Sequence, residues 1–106
     1  LAGHRGSPSH TPYAAAKGGV LTLSRSLAQE LAPRTRVNAI SPGLIDTKMM
    51  GSLDEDRKQS MIAATPLHRL GSADEVAGVA VFLSSPEAAF ITGETIQVNG
   101  GFYLHS

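Results

Sequence analysis

Tyr13 and Lys17 stand four positions apart in the segment YAAAKGGV, residues 13–20. On a helix that spacing puts both side chains on one face, one turn apart. A free tyrosine has a pKa of about 10 and is a poor acid or base at neutral pH. An ammonium group beside it favours the phenolate and lowers that value. The pair could therefore donate a proton to a carbonyl oxygen. The same spacing also describes a half-buried tyrosine beside a solvated lysine, and spacing alone leaves both readings open.

Little else in the chain points to chemistry. His4, His10, His68 and His105 have no metal-ligand spacing, so no metal site is expected. Without cysteine there is no disulfide framework and no thiolate site. Nine basic residues balance nine acidic ones, so no excess charge points to nucleic acid or an anionic membrane surface. Apolar residues make up 42% and charged residues 17%, a globular composition. No apolar run approaches the roughly 18 residues that would span a bilayer, and no signal peptide opens the chain. A cytoplasmic protein is the expectation.

The elements that must position the pair are legible in outline. Residues 1–12, with two glycines and two prolines, read as a loop. A helix is predicted from about Tyr13 to Ala32, ended by Pro33, with Ala and Leu favouring it throughout. Gly18 and Gly19 weaken a helix interior by about 1 kcal/mol each, which predicts close backbone approach by another element. Arg36–Ser41 (RVNAIS) reads as a short buried strand stopped by Pro42-Gly43. Residues 44–66 read as a mobile loop carrying one or two short helices, with Met49, Met50, Met61 and Ile62 scattered through it. Ser72 and Glu75 have capping-box spacing and open a helix to about Leu83. Thr95–Val98 is the second strand, closed by Asn99-Gly100-Gly101. This alternation is α/β. A parallel pair of strands cannot stand alone as a sheet, so further strands must come from elsewhere.

Four blocks now carry a resemblance. YAAAKGGV at 13–20 resembles the active-site helix of short-chain dehydrogenases/reductases. RVNAISPGLIDT at 36–47 resembles that family's strand and Pro-Gly turn beside the nicotinamide. LHRLGSADEVA at 67–77, followed by VFLSS at 81–85, is similar to its late helix. ITGETIQVNGG at 91–101 is similar to its final strand. The order and spacing match over nearly all the chain, and the last block favours the single-domain, 3-oxoacyl-reductase-like branch. The implied fold is the C-terminal part of a Rossmann-like doubly wound parallel sheet: its last two strands, the active-site helix and the late helix. Residues 1–106 would form part of one NAD(P)-binding domain.

The resemblance implies roles. Tyr13 would be the proton donor and acceptor. Lys17 would lower the tyrosine pKa and hydrogen-bond the nicotinamide ribose. Pro42, Gly43, Ile45 and Thr47 would hold the cofactor, with the Ile45 backbone at the carboxamide and the Thr47 hydroxyl as a donor. Residues 48–66 would be the substrate lid. Asn38 is expected to satisfy local backbone groups, and Asn99 to serve turn chemistry. Either NAD or NADP would serve as cofactor. The substrate would be a small carbonyl or alcohol; acyl thioester, steroid, sugar and ketone remain open, with the 3-oxoacyl type favoured. Family members are homotetramers or dimers.

The family's Gly-rich first turn and N-A-G segment have no counterpart here. Its catalytic serine would fall immediately before Leu1, so Ser7 and Ser9 are not promoted to that role. The expectation is that the 106-residue chain alone neither binds dinucleotide tightly nor turns over. The alternative is a noncatalytic truncated homologue acting as an association module.

Overall fold

The computed structural model describes residues 11–102, apart from the side chains of residues 11–14 and 49. The predicted opening loop, with His4, Ser7, Ser9 and His10, and also His105, lie outside the described residues. Helix α1 spans Thr11–Leu31. Pro12 sits in its first turn, where a missing N–H breaks no intrahelical bond. Pro33 follows its end, as the sequence predicts.

Two strands form the sheet, β1 at Ala39–Pro42 and β2 at Thr95–Val98. They pair in parallel, with Ala39 opposite Thr95 and Pro42 opposite Val98. The second strand falls where the sequence places it. The first starts at Ala39 rather than Arg36, and side chains explain the difference. Across residues 36–38 the backbone ladder is reduced to Gly93 N donating to Val37 O at 2.7 Å, and side-chain bonds supply the rest. Val37 N donates to Thr92 Oγ1 at 3.0 Å. Asn38 Nδ2 donates to Ile91 O at 3.0 Å, and Asn38 Oδ1 accepts from Glu94 N at 3.0 Å. Asn38 thus serves backbone groups, as expected.

Arg36 acts as a clamp on the same segment. Its guanidinium donates to Leu83 O at 2.7 Å and to Ile91 O at 3.1 Å, both partly buried. One planar fork thereby ties the end of the late helix to the approach of β2. Arg36→Ala should cost about 2 kcal/mol, because two carbonyls lose a charged donor. Arg36→Lys should recover only part of this. Chemical denaturation of the full-length protein measures both, and an unchanged midpoint for Arg36→Ala would refute the clamp.

A parallel pair needs a crossover. Here it comprises α2 (Lys48–Gly51), α3 (Glu55–Ala64), α4 (Ala73–Leu83) and a 3-10 turn at Pro86–Ala88. The long polar stretch therefore holds two short helices. Asp54 caps α3 by accepting from Arg57 N at 2.9 Å. Ser72 and Glu75 complete the predicted capping box on α4. That helix packs on both strands.

The core is small. Ala28, Leu83 and Ala88 are buried, while Val20, Leu23, Val81, Phe82 and Phe90 are exposed. "Buried" therefore describes β1 poorly: only Ser41 in it is buried. The close approach expected at Gly18 and Gly19 is not met by the described residues, since a Cβ at either position would touch nothing within 4 Å. Among the described residues no helix is long and apolar enough to cross a membrane.

Candidate active site

Tyr13 occupies the first turn of α1, but its side chain lies outside the described residues. Lys17 follows one turn later and is half-buried. No ion pair holds Lys17 among the described residues. No hydrogen bond joins it to residues 42–47 either. The structure thus places Tyr13 and Lys17 on one helix, one turn apart.

The turn itself is closely specified. Gly43 N donates to Val98 O at 2.8 Å, extending the ladder past β1. A Cβ at Gly43 would lie 2.7 Å from Asn99 Cβ and 2.8 Å from Asn99 Cα. Packing against Asn99 is therefore reason enough for glycine here. Asn99 in turn accepts from Gly101 N through Oδ1 at 2.9 Å, the turn chemistry expected of it. Gly100 and Gly101 both have positive φ, which glycine adopts without steric cost.

Beyond Gly43 the chain makes one more parallel contact, the bridge Ile45–Gly71. Gly71 N donates to Leu44 O at 2.9 Å, and Asp46 N donates to Gly71 O at 2.8 Å. Both bonds use the peptide groups flanking Ile45. Its own N–H and C=O point to the opposite side and have no partner among the described residues. A nicotinamide carboxamide offers one acceptor and one donor group, the complement of that free pair. Thr47 lies two residues on and caps α2, its Oγ1 accepting from Met50 N at 3.3 Å. Capping uses a lone pair and leaves the hydroxyl proton free to donate. These residues fit the ring end of the cofactor. Pro42 is exposed at the end of β1, and Gly43 is half-buried.

Behind the turn stands an ion pair that the sequence reading missed. Arg69 meets Glu75 through two bonds of 2.9 and 2.8 Å. Glu75 was singled out only as a capping-box residue. An arginine six positions earlier gains meaning only when the intervening turn brings it back. The Arg69 hydrogen bond, with the Ser72 N–H second, pushes the Glu75 carboxyl down from 4.5 to about 2.

A folded-state pKa below the unfolded value favours the folded state once the group is ionised. The contribution is therefore present above pH of about 4.5 and disappears as pH falls toward about 2. Exposure and salt screening keep it small. Urea unfolding between these limits should show a steeper acid loss in the parent than in Glu75→Gln. Identical pH slopes would refute this.

A cleft of about 250 Å³ adjoins the pair, lined by Leu44, Leu67, Arg69, Glu75, Gln97 and Asn99 among others. Lys17 does not line it.

A family model described as enoyl-(acyl carrier protein) reductase matches residues 1–103. The 3-oxoacyl-[acyl-carrier-protein] reductases of Vibrio harveyi and Escherichia coli (strain K12) are each 46% identical over 105 residues. A solved structure from Brucella melitensis is described as a short-chain dehydrogenase/reductase, glucose/ribitol dehydrogenase. It is 50% identical with a TM-score of 0.85, covering 99% of this chain and 43% of that one. This chain belongs to the short-chain dehydrogenase/reductase family.

Each curated match covers 98% of this chain and 43% of the relative's length. The two strands with α1 and α4 are thus the C-terminal part of a Rossmann-like doubly wound sheet. The descriptions of the family model and of these relatives name different substrates, enoyl-(acyl carrier protein), 3-oxoacyl-[acyl-carrier-protein] and glucose/ribitol.

Proposed function

We propose that this chain is part of an NAD(P)-dependent oxidoreductase that reduces a ketone to a secondary alcohol, with a 3-oxoacyl thioester as substrate. The observation that carries this reading is the free Ile45 peptide beside the Thr47 hydroxyl, on a chain that also bears Tyr13 and Lys17 on one helix. The 46% identity to two 3-oxoacyl reductases supports the substrate class. One NAD(P)-binding domain would hold the chain, the rest of its sheet covering the exposed faces of α1 and α4.

When bound, the reduced nicotinamide supplies hydride to the carbonyl carbon. Tyr13 gives its phenolic proton to the carbonyl oxygen, so that ketone becomes alcohol. Lys17 stabilises the phenolate left behind, which solvent reprotonates. Ile45 N–H and C=O orient the carboxamide, and Thr47 adds a donor beside it. Pro42 and Gly43 shape the turn that carries them. Residues 48–66 close over the substrate and exclude water.

The full-length protein should consume NADPH or NADH with a 3-oxoacyl thioester, and the absorbance of the reduced cofactor reads it. Absence of turnover with both cofactors, on thioester and simple ketone alike, would overturn the reading. The 106-residue chain assayed alone should show neither tight dinucleotide binding nor turnover, because hydride transfer needs a positioned cofactor and an oxyanion-polarising hydroxyl as well as the proton donor. Normal oxidation of NAD(P)H by that chain would refute this. A homotetramer or dimer of the full-length cytoplasmic protein is part of the same proposal, and light scattering measures it.

A further inference from the structure

The peptide that would meet the carboxamide is held by a single isolated bridge. Gly71 makes two hydrogen bonds to the residues on either side of Ile45, to Leu44 O and from Asp46 N, and no longer ladder extends them. A contact this short sets no geometry unless its outer strand is itself fixed. What fixes residues 69–72 is the Arg69–Glu75 pair. Glu75 Oε1 accepts from Ser72 N at 2.9 Å and from Arg69 Nη1 at 2.9 Å. Glu75 Oε2 accepts from Arg69 Nη2 at 2.8 Å. Arg69 Nη1 also donates to Leu70 O at 3.1 Å. The backbone is therefore tied at Leu70 O and at Ser72 N, on both sides of Gly71. The fit to the turn is close: a Cβ at Gly71 would lie 2.9 Å from Ile45 Cδ1.

We propose that Arg69 and Glu75 are positioning residues for the cofactor, pinning Gly71 so that the Ile45 peptide stands at the height the carboxamide requires. This rests on the reading of Ile45 given above. A bidentate arginine–carboxylate pair has one preferred geometry, which suits it to set a position. Its exposure means it adds little to folding. Its effect therefore falls on the ring end of the cofactor and not on the adenosine end, which the resemblance assigns to parts of the domain outside this chain. Lysine cannot reproduce the two parallel bonds, so charge alone does not substitute.

The test uses the full-length enzyme and the variants Arg69→Ala, Arg69→Lys and Glu75→Gln. The dissociation constants of the reduced dinucleotide and of ADP-ribose, with its 2′-phosphate form if NADP is the cofactor, are measured by titration. All three variants should bind the dinucleotide on the order of tenfold more weakly and the ADP-ribose fragment as the parent does. Equal weakening of both ligands, or parent-like binding of both, overturns the proposal. Ile45→Pro removes the N–H at the turn and separates the two readings. If Ile45→Pro weakens only the dinucleotide while the pair variants bind it normally, the positioning role fails and the Ile45 reading stands. If Ile45→Pro leaves dinucleotide binding unchanged, the Ile45 reading fails and the positioning role with it. Should Arg69→Ala fail to fold, Glu75→Gln decides alone, since it keeps an acceptor for Ser72 N.

Discussion

Tyr13→Phe in the full-length protein is expected to lower kcat by about 10²–10⁴-fold. The dissociation constant for reduced cofactor should stay within about twofold of the parent. The change removes one oxygen and its proton and leaves the ring. A proton donor is needed only as negative charge develops on the carbonyl oxygen, so the loss belongs to kcat and not to ground-state binding. Lys17→Met should also lower kcat and should move the pH dependence of the residual activity upward, because the phenolate loses a nearby cation. Tyr13 sits on α1 one turn before a half-buried lysine, which is the arrangement this chemistry asks for. Steady-state rates and cofactor titration check it. A kcat for Tyr13→Phe within threefold of the parent would end the proton-donor assignment, whatever the protein's activity proves to be.

Gly43→Ala should destabilise the full-length protein by about 2 kcal/mol, within the usual range for overpacking. The added methyl would meet Asn99 Cβ at 2.7 Å and Asn99 Cα at 2.8 Å. Backbone cannot swing aside as the end of a long side chain can. The strands must part at the Gly43 N–Val98 O bond, which is 2.8 Å. The turn bearing Ile45 and Thr47 starts there, so cofactor affinity should fall as well. Gly71→Ala offers the contrast. Its closest obstacle is the Ile45 Cδ1 methyl, a flexible end, so the fold should suffer less while the Ile45 peptide moves. Chemical denaturation ranks the two, and Gly43→Ala matching the parent in midpoint would show that the β1–β2 approach yields.

Local rules made much of the fold legible. Ser72 and Glu75 marked the start of α4 because a capping box is a contact between residues three apart. Pro33 ended α1, and Thr95–Val98 was a strand bounded by Gly93 and Asn99-Gly100. Tyr13 and Lys17 were paired by helical periodicity alone. These signals lie within a few residues of each other, so neighbouring side chains and backbone preferences suffice to decide them.

Other features depend on residues far apart in the chain. Arg36 reaches carbonyls at Leu83 and Ile91, and the Asn38 side chain bonds Ile91 O and Glu94 N ahead of β1. Nothing near either residue in the sequence signals those partners. Gly43 looked like a turn glycine, and only its approach to Asn99 shows why no side chain fits. Ile45 N–H and C=O are free among the described residues because Gly71 pairs with the residues on either side of it. By itself the sequence determined α1 and α4, the second strand and the placing of Tyr13 and Lys17 on one helix, because those follow from periodicity and short-range capping. Where the first strand begins, why Gly43 must be glycine and what holds the turn at residues 42–47 were decided only by tertiary structure, because each requires two distant backbone segments to meet.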